Sequence, residues 1–512
     1  MCRNILEYLE SSAARFGDKT AFDDDKSVIS FRELEQRAQA VGSVLAPKGL
    51  VRRPAVVFLP KGCGCITAFM GIVYAGGFYC PIDTSMPAER ISMIFRTLEP
   101  AVVITTERYA PKISGIASGV EIVMLEQAQQ SEINHSELSS IRRNMIDTDP
   151  LYVLFTSGST GVPKGVLISH RGVIDYIEWV ASKFNIDDGH IFANQAPFYF
   201  DNSILDIYCT LKCGATTVIL PQRKMMFPKD LIEYLDEKKV NIIFWVPSLL
   251  CNVADMRALD VVAPKYLTKI LFCGEVMPNK QLNVWRRALP DVLYANLYGP
   301  TEITDVCTYY IVDREFTDDE PLPIGVPCEN TRALVLDDNG REVAPGESGE
   351  LCIAGTCLAL GYYNDYERTS KVFTQNPLNS SYEEKVYHTG DIVKYNDRGE
   401  LMYLSRKDFQ IKHMGHRIEL GEIETAMGGI SQISGCACVY DDARKEICVF
   451  FTGGEELVRA DITAALKARL QTYMIPSRYL RMSKLPHNIN GKVDRRALTS
   501  LLSSADGAYD EI

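Results

Sequence analysis

The sequence has no excess of positive charge, because its 54 lysines and arginines are outnumbered by 66 aspartates and glutamates and the formal net charge is −12. Nucleic acids and anionic membranes bind basic surfaces, so this balance argues against both kinds of partner. The N-terminal segment also lacks the apolar run of a secretory signal, because Glu7 and Glu10 interrupt it. We therefore expect a cytoplasmic protein without nucleic-acid or membrane partners.

The 15 cysteines include no Cys-x-x-Cys pair and form no His/Cys cluster with the spacing of a zinc site. Their odd, scattered distribution does not suit a secreted disulfide framework, and it predicts reduced, buried thiols. One uncharged stretch, 62–82, is long enough to cross a bilayer. Its five glycines and the proline near its end instead predict a buried helix that stops at Gly76 and Gly77, followed by a short strand.

Strand-like and helix-like segments alternate through the first 300 residues, which predicts parallel sheets covered by helices on both faces. The strand-like runs are 55–59, 101–105, 151–155, 216–220, 242–245 and 269–272, and the clearest helical stretches are 31–45 and 228–238. Beyond about residue 321, shorter strands are joined by tight-turn signals at 337–340 and 396–399. A polar break near 405–408 precedes a smaller unit with a helix near Gly421, a strand at 447–452 and a helix at 460–470. The predicted boundaries are an N-terminal core at 1–405, a C-terminal domain at 406–502 and a disordered tail or linker at 503–512.

A loop of glycines and hydroxyl side chains follows the predicted strand at 151–155. It runs from Thr156 through Gly165 and carries one lysine, Lys164. Glycines let backbone amides approach phosphate oxygens, hydroxyls donate to them, and the lysine adds positive charge. The loop contains no Gly-Lys-Ser/Thr and so differs from the common nucleotide P-loop. A flexible linker is the alternative, but a linker would not follow directly on a buried strand. The pattern predicts a phosphate-binding loop.

This loop resembles the phosphate loop of the adenylate-forming enzymes, which include acyl-CoA synthetases, luciferases and the adenylation domains of nonribosomal peptide synthetases. Further motifs of that family follow in the expected order, at 76–83, 296–302, 349–351 with 361–363, 387–391, 405–408 with 412–420, and 490–495. The resemblance implies an α/β fold. Its large N-terminal domain would have doubly covered β-sheets plus a distorted barrel, and its small C-terminal α+β domain would be mobile. It also implies ATP and Mg²⁺ as cofactors.

The same resemblance assigns roles to individual residues. Tyr298 would stack on adenine, Asp391 would accept from the ribose hydroxyls, and Glu302 would hold Mg²⁺. Taken alone, Tyr298 could equally be a core tyrosine and Asp391 is better explained as a turn residue. The implied ATP-binding residues are Thr156, Ser157, Gly158, Ser159, Thr160, Lys164, Asn296, Tyr298, Gly299, Asp391 and Arg406.

The implied catalytic residues are Lys492, Glu302, Thr301 and Arg406. Lys492 would bridge the substrate carboxylate and the ATP phosphates during adenylation, although a lysine in such a basic segment is more often solvated surface. Asp408 matches the hinge position about which the small domain rotates in this family. Gly415 would then line the path of the incoming thiol, where a side chain would obstruct it.

Asp201 separates the substrate branches, because amino-acid-activating members have an aspartate here that pairs with the substrate α-ammonium. The alternative is a helix N-cap. By alignment, the other pocket residues are Asn202, Leu205, Phe244 or Trp245, Leu271, Cys273, Gly274, Leu297, Asp305 and Val306. The segment 272–276, which contains Cys273, is similar to the corresponding segment of the D-alanine–carrier-protein ligases. Asp305 departs from them, and its orientation is open: it could bind a polar or cationic substrate group, or only order a loop.

The resemblance therefore predicts an amino-acid adenylation domain that forms an aminoacyl-AMP and passes the aminoacyl group to the phosphopantetheine thiol of a carrier protein. A free-standing D-alanine–carrier-protein ligase is the nearest alternative, and an excised synthetase module fits slightly better. A CoA ligase for a small acid and a catalytically inactive scaffold are more distant alternatives. The presence of Lys164, Glu302, Asp391, Arg406 and Lys492 argues against the scaffold.

Overall fold

The computed structural model describes residues 2–158, 162–407, 410–454, 456–487, 493–503 and 509–512. The chain divides into two compact units. The large unit comprises Met1–Thr84, Leu98–Leu154 and Gly165–Lys407, and the small unit comprises Ser85–Thr97, Phe155–Lys164 and Asp408–Ile512. Two segments that the sequence placed in the N-terminal core thus group with the C-terminal residues. The boundaries at residues 405 and 502 stay a prediction.

The helices range from one turn to four. They are α1 Leu6–Phe16, α2 Phe31–Leu45, α3 Cys63–Tyr74, α4 Ala88–Leu98, α5 Ala110–Ser114, α6 Leu125–Ala128, α7 His135–Asn144, α8 His170–Lys183, α9 Ser203–Cys213, α10 Gln222–Met225, α11 Pro228–Glu237, α12 Pro247–Asp255, α13 Asn279–Ala288, α14 Tyr366–Val372, α15 Leu420–Gly428, α16 Arg459–Lys467 and α17 Arg495–Ser503. Short 3₁₀ turns lie at Ala46–Lys48, Ala258–Asp260, Thr301–Ile303 and Thr472–Met474.

The strands are mostly three to eight residues long. They are β1 Thr20–Asp23, β2 Val28–Ser30, β3 Pro54–Val57, β4 Phe78–Pro81, β5 Val102–Thr105, β6 Glu121–Met124, β7 Pro150–Thr156, β8 Lys164–Ser169, β9 Ile191–Asn194, β10 Thr216–Ile219, β11 Ile242–Trp245, β12 Lys269–Cys273, β13 Leu293–Tyr298, β14 Thr308–Ile311, β15 Val326–Pro327, β16 Thr331–Leu336, β17 Ser348–Gly355, β18 Gly361–Tyr362, β19 Phe373–Gln375, β20 Lys385–Tyr395, β21 Leu401–Arg406, β22 Gln410–His413, β23 His416–Glu419, β24 Ile433–Asp441, β25 Glu446–Gly453, β26 Arg478–Arg481 and β27 Asp510–Glu511.

Two sheets with parallel centres form the core of the large unit, as the alternating pattern predicts. One has nine strands in the order β15-β14-β13-β12-β11-β9-β10-β1-β2, and the other has seven in the order β18-β8-β7-β4-β3-β5-β6. Strands β9 to β13 pair in parallel, whereas β2 and β14 to β15 add antiparallel edges. The expected strands each lie within two residues of an observed one.

The uncharged stretch at 62–82 folds as predicted. Helix α3 is buried along its length, Gly76 takes the left-handed backbone conformation with φ of 76°, and β4 follows. The helix packs closely on α2, because a Cβ placed on Gly71 would lie 2.4 Å from Val41 Cγ1. Within the described part of the chain, no helix combines the length and apolar character needed to cross a bilayer.

A third, five-stranded sheet in the large unit has the order β16-β17-β20-β19, with β21 also paired to β20. The turn signals connect its strands, since 337–340 lies between β16 and β17 and 396–399 between β20 and β21. Gly340 and Gly399 both have φ of 74°, which explains the glycine in each turn.

The small unit contains the sheet β24-β25-β26-β27 and the hairpin β22-β23. Helix α15 lies at the helix predicted near residue 421, and α16 overlaps the helix predicted at 460–470. Strand β25 contains the strand predicted at 447–452. For residues 503–512 the sequence predicts a disordered tail or a linker. The last of these residues instead form β27, which pairs with β26 and brings Glu511 to Arg478.

Replacing Gly71 with alanine should lower the stability of the large unit, because the added methyl group would overlap Val41 between α3 and α2. Overpacking of this kind costs about 1–3 kcal/mol. The matched control is Gly115→Ala, where a Cβ would meet nothing within 4 Å and the backbone is right-handed, with φ of −68°. Thermal and denaturant unfolding of both variants would measure the difference, and equal midpoints would contradict the close packing.

Candidate functional site

Three parallel strands of the nine-stranded sheet present one buried apolar face. Phe244 on β11 is in register with Leu271 on β12, and Cys273 at the end of β12 is in register with Leu297 on β13. These four side chains belong to the same core cluster as Leu205 and Val306. The sequence left Phe244 and Trp245 as alternatives for the pocket. The structure places Trp245 in the other core cluster, on the opposite face of the sheet, so Phe244 is the one that shares a face with the predicted pocket residues Leu271 and Leu297.

Asp201 lies just before α9 and is half-buried. The alternative role as an N-cap is not observed, because α9 begins at Ser203 and the Asp201 carboxylate accepts from the backbone N–H of Asn202 at 3.1 Å. The Asn202 side chain is itself buried, and its Nδ2 has no acceptor among the described residues. A Cβ on Gly274 would lie 4.0 Å from that nitrogen. An unused amide donor, next in sequence to the Asp201 carboxylate, therefore adjoins the end of β12.

The structure resolves the orientation of Asp305, which points into the protein. It is 1% exposed, has φ of 74°, and its Oδ2 accepts a 2.7 Å hydrogen bond from the hydroxyl of Tyr176. Burial raises the pKa of Asp305 well above that of an ordinary carboxyl, and the nearby charge of Asp201 raises it further. The two carboxyl groups therefore share one region, and burial of Asp305 favours its protonated form.

Tyr298, Asp391 and Arg406 lie together in the large unit, as the resemblance implies for the adenine and ribose site. The Asp391 carboxylate accepts from the Tyr298 hydroxyl and, at 2.7 Å, from Nη1 of Arg406. Burial and the charge of Asp391 raise the pKa of Tyr298. This hydroxyl therefore stays protonated and donates a hydrogen bond to the Asp391 carboxylate. Asn296 is also buried here, but its Nδ2 donates to the carbonyl of Pro323.

Glu302 is fully buried in the short turn Thr301–Ile303, with the Tyr362 hydroxyl donating to its Oε1 at 2.7 Å. The glycine of this motif has a steric cause. A Cβ on Gly299 would lie 2.2 Å from the backbone carbonyl oxygen of Asp305. The absence of a side chain at Gly299 therefore allows the backbone of Asp305 to pack against the segment that leads into the Glu302 turn.

Except for Gly165, the phosphate-loop residues that the structure describes belong to the small unit. The Ser157 hydroxyl donates to the carbonyl of Arg417 at 2.7 Å and accepts from the N–H of Glu419 at 3.2 Å. Glu422 accepts from the N–H of Gly158 and pairs with Arg90. These bonds explain why 85–97 and 155–164 group with the C-terminal residues. Lys164 is buried, and the Thr156 Oγ1 is buried without a partner among the described residues.

Four predicted site residues lie outside the described residues: Ser159, Thr160, Asp408 and Lys492. Gly415 is described, and it lies in the tight turn of the β22-β23 hairpin. With φ of 52° at Met414 and 79° at Gly415, the turn has two left-handed residues. This backbone shape explains a glycine locally, without reference to a thiol path.

The sequence analysis assigned no role to three residues near the site. Tyr176 and Tyr362 hold Asp305 and Glu302, and only Tyr362 lies in a recognised motif. The third, Lys61, donates to the carbonyls of Asn194 and Gln195 at 3.0 Å each. Those carbonyls begin the loop that ends at Asp201. Burial of its ammonium group lowers the pKa of Lys61 to about 7.

The comparisons with known proteins identify the family of the chain. A model of the family described as AMP-binding enzyme matches residues 9–363. The chain belongs to the AMP-binding enzyme family. It is an ATP-dependent, AMP-forming ligase. The predicted fold, with a large N-terminal and a small C-terminal domain, is confirmed by adenylation-domain structures.

Two relatives and one structure illustrate the range of the family. A D-alanine–D-alanyl carrier protein ligase of Listeria innocua is 33% identical over 98% of this chain and 99% of its own. Bacitracin synthase 1 of Bacillus licheniformis is also 33% identical over 97% of this chain, which spans only 9% of that protein. The solved holo-PA1221, a nonribosomal peptide synthetase protein with adenylation and PCP domains, matches 97% of this chain and 84% of its own, with a TM-score of 0.82 and 24% identity.

Asp305→Asn should stabilise the AMP-forming ligase increasingly as the pH rises. Above the ordinary carboxyl pKa the unfolded state releases a proton that folded Asp305 retains, so wild-type stability falls with rising pH, whereas the asparagine has no such term. The asparagine oxygen can still accept from Tyr176. Thermal unfolding from pH 5 to pH 8 measures the effect, with the exposed Asp319→Asn as control. A constant difference across that range would refute the neutral state of Asp305.

Lys61→Met should raise the KM for the carboxylic substrate. Two carbonyls at the start of the Asp201 loop would lose their donor, at a cost of about 1–3 kcal/mol, and the loop would no longer be held in one position. Arginine at the same position should restore part of the affinity because it can also donate to both carbonyls. Steady-state kinetics test this, with the exposed Lys265→Met as control. An unchanged KM would exclude a positioning role.

Proposed function

We propose that this ligase activates a small, uncharged amino acid with Mg-ATP and transfers it to the phosphopantetheine thiol of a carrier protein. The observation that supports the proposal most is that Asp201 lies near Asp305, a carboxyl group whose pKa is raised by burial and by the Asp201 charge, beside a buried apolar face. One charged carboxylate suits one α-ammonium group. The apolar side chains leave little use for a charged substrate side chain.

In the proposed first step, a carboxylate oxygen of the amino acid attacks the α-phosphorus of ATP. The bond from that phosphorus to the β-phosphate bridging oxygen breaks, and pyrophosphate leaves. The protein must hold two anions together, so positioning and charge neutralisation carry the catalysis. Tyr298 and Asp391 would orient adenine and ribose, with Arg406 beside them. Lys492, from the predicted 406–502 domain, would bridge carboxylate and phosphate.

The surroundings of Glu302 fit a magnesium ion. A fully buried carboxylate with one oxygen held by Tyr362 is a hard oxygen ligand fixed in orientation, and Mg²⁺ is often bound by one or two carboxylates together with substrate phosphates. When bound, the ion would neutralise phosphate charge. Tyr362 would keep the carboxylate in place as ATP enters and pyrophosphate leaves.

In the proposed second step, the carrier thiolate attacks the aminoacyl carbonyl carbon and AMP leaves with the former carboxylate oxygen. The full-length match to a ligase named for a carrier protein supports this acceptor. Rotation of the small domain about Asp408 and passage of the thiol past Gly415 belong to the proposal. We place the reaction in the cytoplasm, where ATP is available.

D-Alanine is the first substrate to test. Cys273 is buried at the end of β12 beside Gly274, and the relative matched over 99% of its own length is a D-alanine ligase. Asp305 modifies this expectation. In its neutral form it can donate a hydrogen bond, which would also suit a small hydroxylated amino acid such as serine.

Amino-acid-dependent ATP–pyrophosphate exchange tests the first step. The panel contains the proteinogenic amino acids, D-alanine, D-serine, β-alanine, ornithine and several short fatty and aryl acids. We expect one small neutral amino acid to support exchange. Asp201→Asn and Lys492→Ala should each reduce exchange by at least about 100-fold, since both remove a charge that meets the substrate directly. Exchange only with acids that lack an amino group would refute the role of Asp201.

Asp305→Asn separates the two substrate classes. A neutral substrate should keep its exchange rate within about 10-fold, whereas a cationic substrate such as ornithine would lose more, because its side chain would pair with that carboxylate. Transfer to a phosphopantetheinylated carrier protein, with free CoA as the competing acceptor, tests the second step. Preference for CoA would favour the CoA-ligase alternative.

A further inference from the structure

Three side chains with metal-binding atoms converge on one face of the five-stranded sheet. Glu350 and Cys352 are two residues apart on β17, so they point to the same face. Cys352 pairs directly with His388 on the antiparallel strand β20. The ligand atoms of the three residues all lie within 4.8 Å of one another.

The distances match those between ligands of one tetrahedral ion. His388 Nδ1 lies 3.3 Å from Cys352 Sγ and 3.1 Å from Glu350 Oε2. Tetrahedral zinc with its usual bond lengths separates such atoms by about 3.4–3.6 Å. The ligands would need to move apart by only a few tenths of an ångström.

Hydrogen bonds alone do not satisfy this geometry well. Nδ1 of an imidazole makes one bond in the ring plane, as donor or as acceptor. If it donates to Glu350, the thiol proton of Cys352 has no acceptor at Nδ1. If it accepts from Cys352, an unprotonated nitrogen faces the Glu350 carboxylate. A cation placed between the three atoms removes this conflict.

Each ligand also has a partner that fixes its orientation. The other ring nitrogen of His388, Nε2, lies 3.0 Å from the hydroxyl of Thr374. Glu350 Oε1 accepts from the N–H of Gly390 at 3.0 Å, which leaves Oε2 for the ion. Metal-binding histidines are typically held in this way through the second nitrogen. Lys407 lies 3.4 Å from Oε2, but it has a second acidic partner, Asp338, at 3.0 Å.

We propose that Glu350, Cys352 and His388 form a binding site for one thiophilic divalent cation of the Zn²⁺ type. Three protein ligands leave the fourth position for water, on the side where Glu350 and His388 are partly exposed. Binding converts the Cys352 thiol to a thiolate and releases its proton to solvent. The ion joins β17 to β20 close to Asp391 and is distinct from the Mg²⁺ proposed at Glu302, because a thiolate selects a softer metal.

Cobalt(II) is a suitable probe, because a cysteine thiolate bound to it gives a charge-transfer band in the near ultraviolet. The full chain would be stripped of metal with a chelator and titrated with Co²⁺. Zn²⁺ affinity would then be measured by competition with a chromophoric chelator. The variants are Cys352→Ser, His388→Gln and Thr374→Val. Cys213→Ser, a partly exposed cysteine away from the cluster, is the control.

We expect one Co²⁺ per chain with a thiolate band, which Cys352→Ser abolishes and Cys213→Ser leaves intact. His388→Gln and Thr374→Val should weaken Zn²⁺ binding at least about 10-fold, the latter through loss of the partner that orients the ring. Circular dichroism would identify a variant that fails to fold, and Thr374→Val is the mildest change. A band that persists in Cys352→Ser, or wild-type affinity in the other two variants, would overturn the proposal. So would the absence of any binding at micromolar metal.

Discussion

The site depends on the cost of burying carboxyl groups, which is large unless a donor meets each of them. Asp206, Glu302, Asp305 and Asp391 are all at most 3% exposed. Each accepts a hydrogen bond from a neutral side chain: Asn194, Tyr362, Tyr176 and Tyr298, respectively. A neutral donor fixes a carboxyl group without neutralising it. The hydrogen bond therefore holds each carboxyl group in one orientation at the site.

The sequence was sufficient for the elements whose signals are local. Helix α2 begins and ends where its pattern predicts, because Ser30 and Glu33 form a reciprocal cap that fixes its start. The buried strands are equally clear, since a short apolar run between turn signals suits a strand covered on both faces. Helix α3 could be distinguished from a membrane span by its glycines, one of which allows contact with α2.

The sequence could not determine features that depend on register or on distant contacts. Trp245 and Phe244 are adjacent, and only the packing of the sheet shows that Phe244 shares a core cluster with Leu271 and that Trp245 lies on the opposite face. Tyr176 reaches Asp305 across 129 residues, and no local pattern predicts such a contact. The sequence did not predict the cluster of Glu350, Cys352 and His388 for the same reason. Zinc spacing is a signal along the chain, whereas these residues meet across strands 36 residues apart.

Asp201 and Asp305 show how two nearby carboxyl groups can differ in charge. Asp305 is fully buried, which raises its pKa, and the charge of the half-buried Asp201 raises that pKa further. Environments that separate two pKa values in this way often assign different roles to chemically identical groups. Under the proposed function, the pair offers one negative charge to the α-ammonium and one neutral hydrogen-bonding group to the rest of the substrate. A second negative charge at this place would need a second cation as its partner, and a neutral amino acid carries only its α-ammonium group.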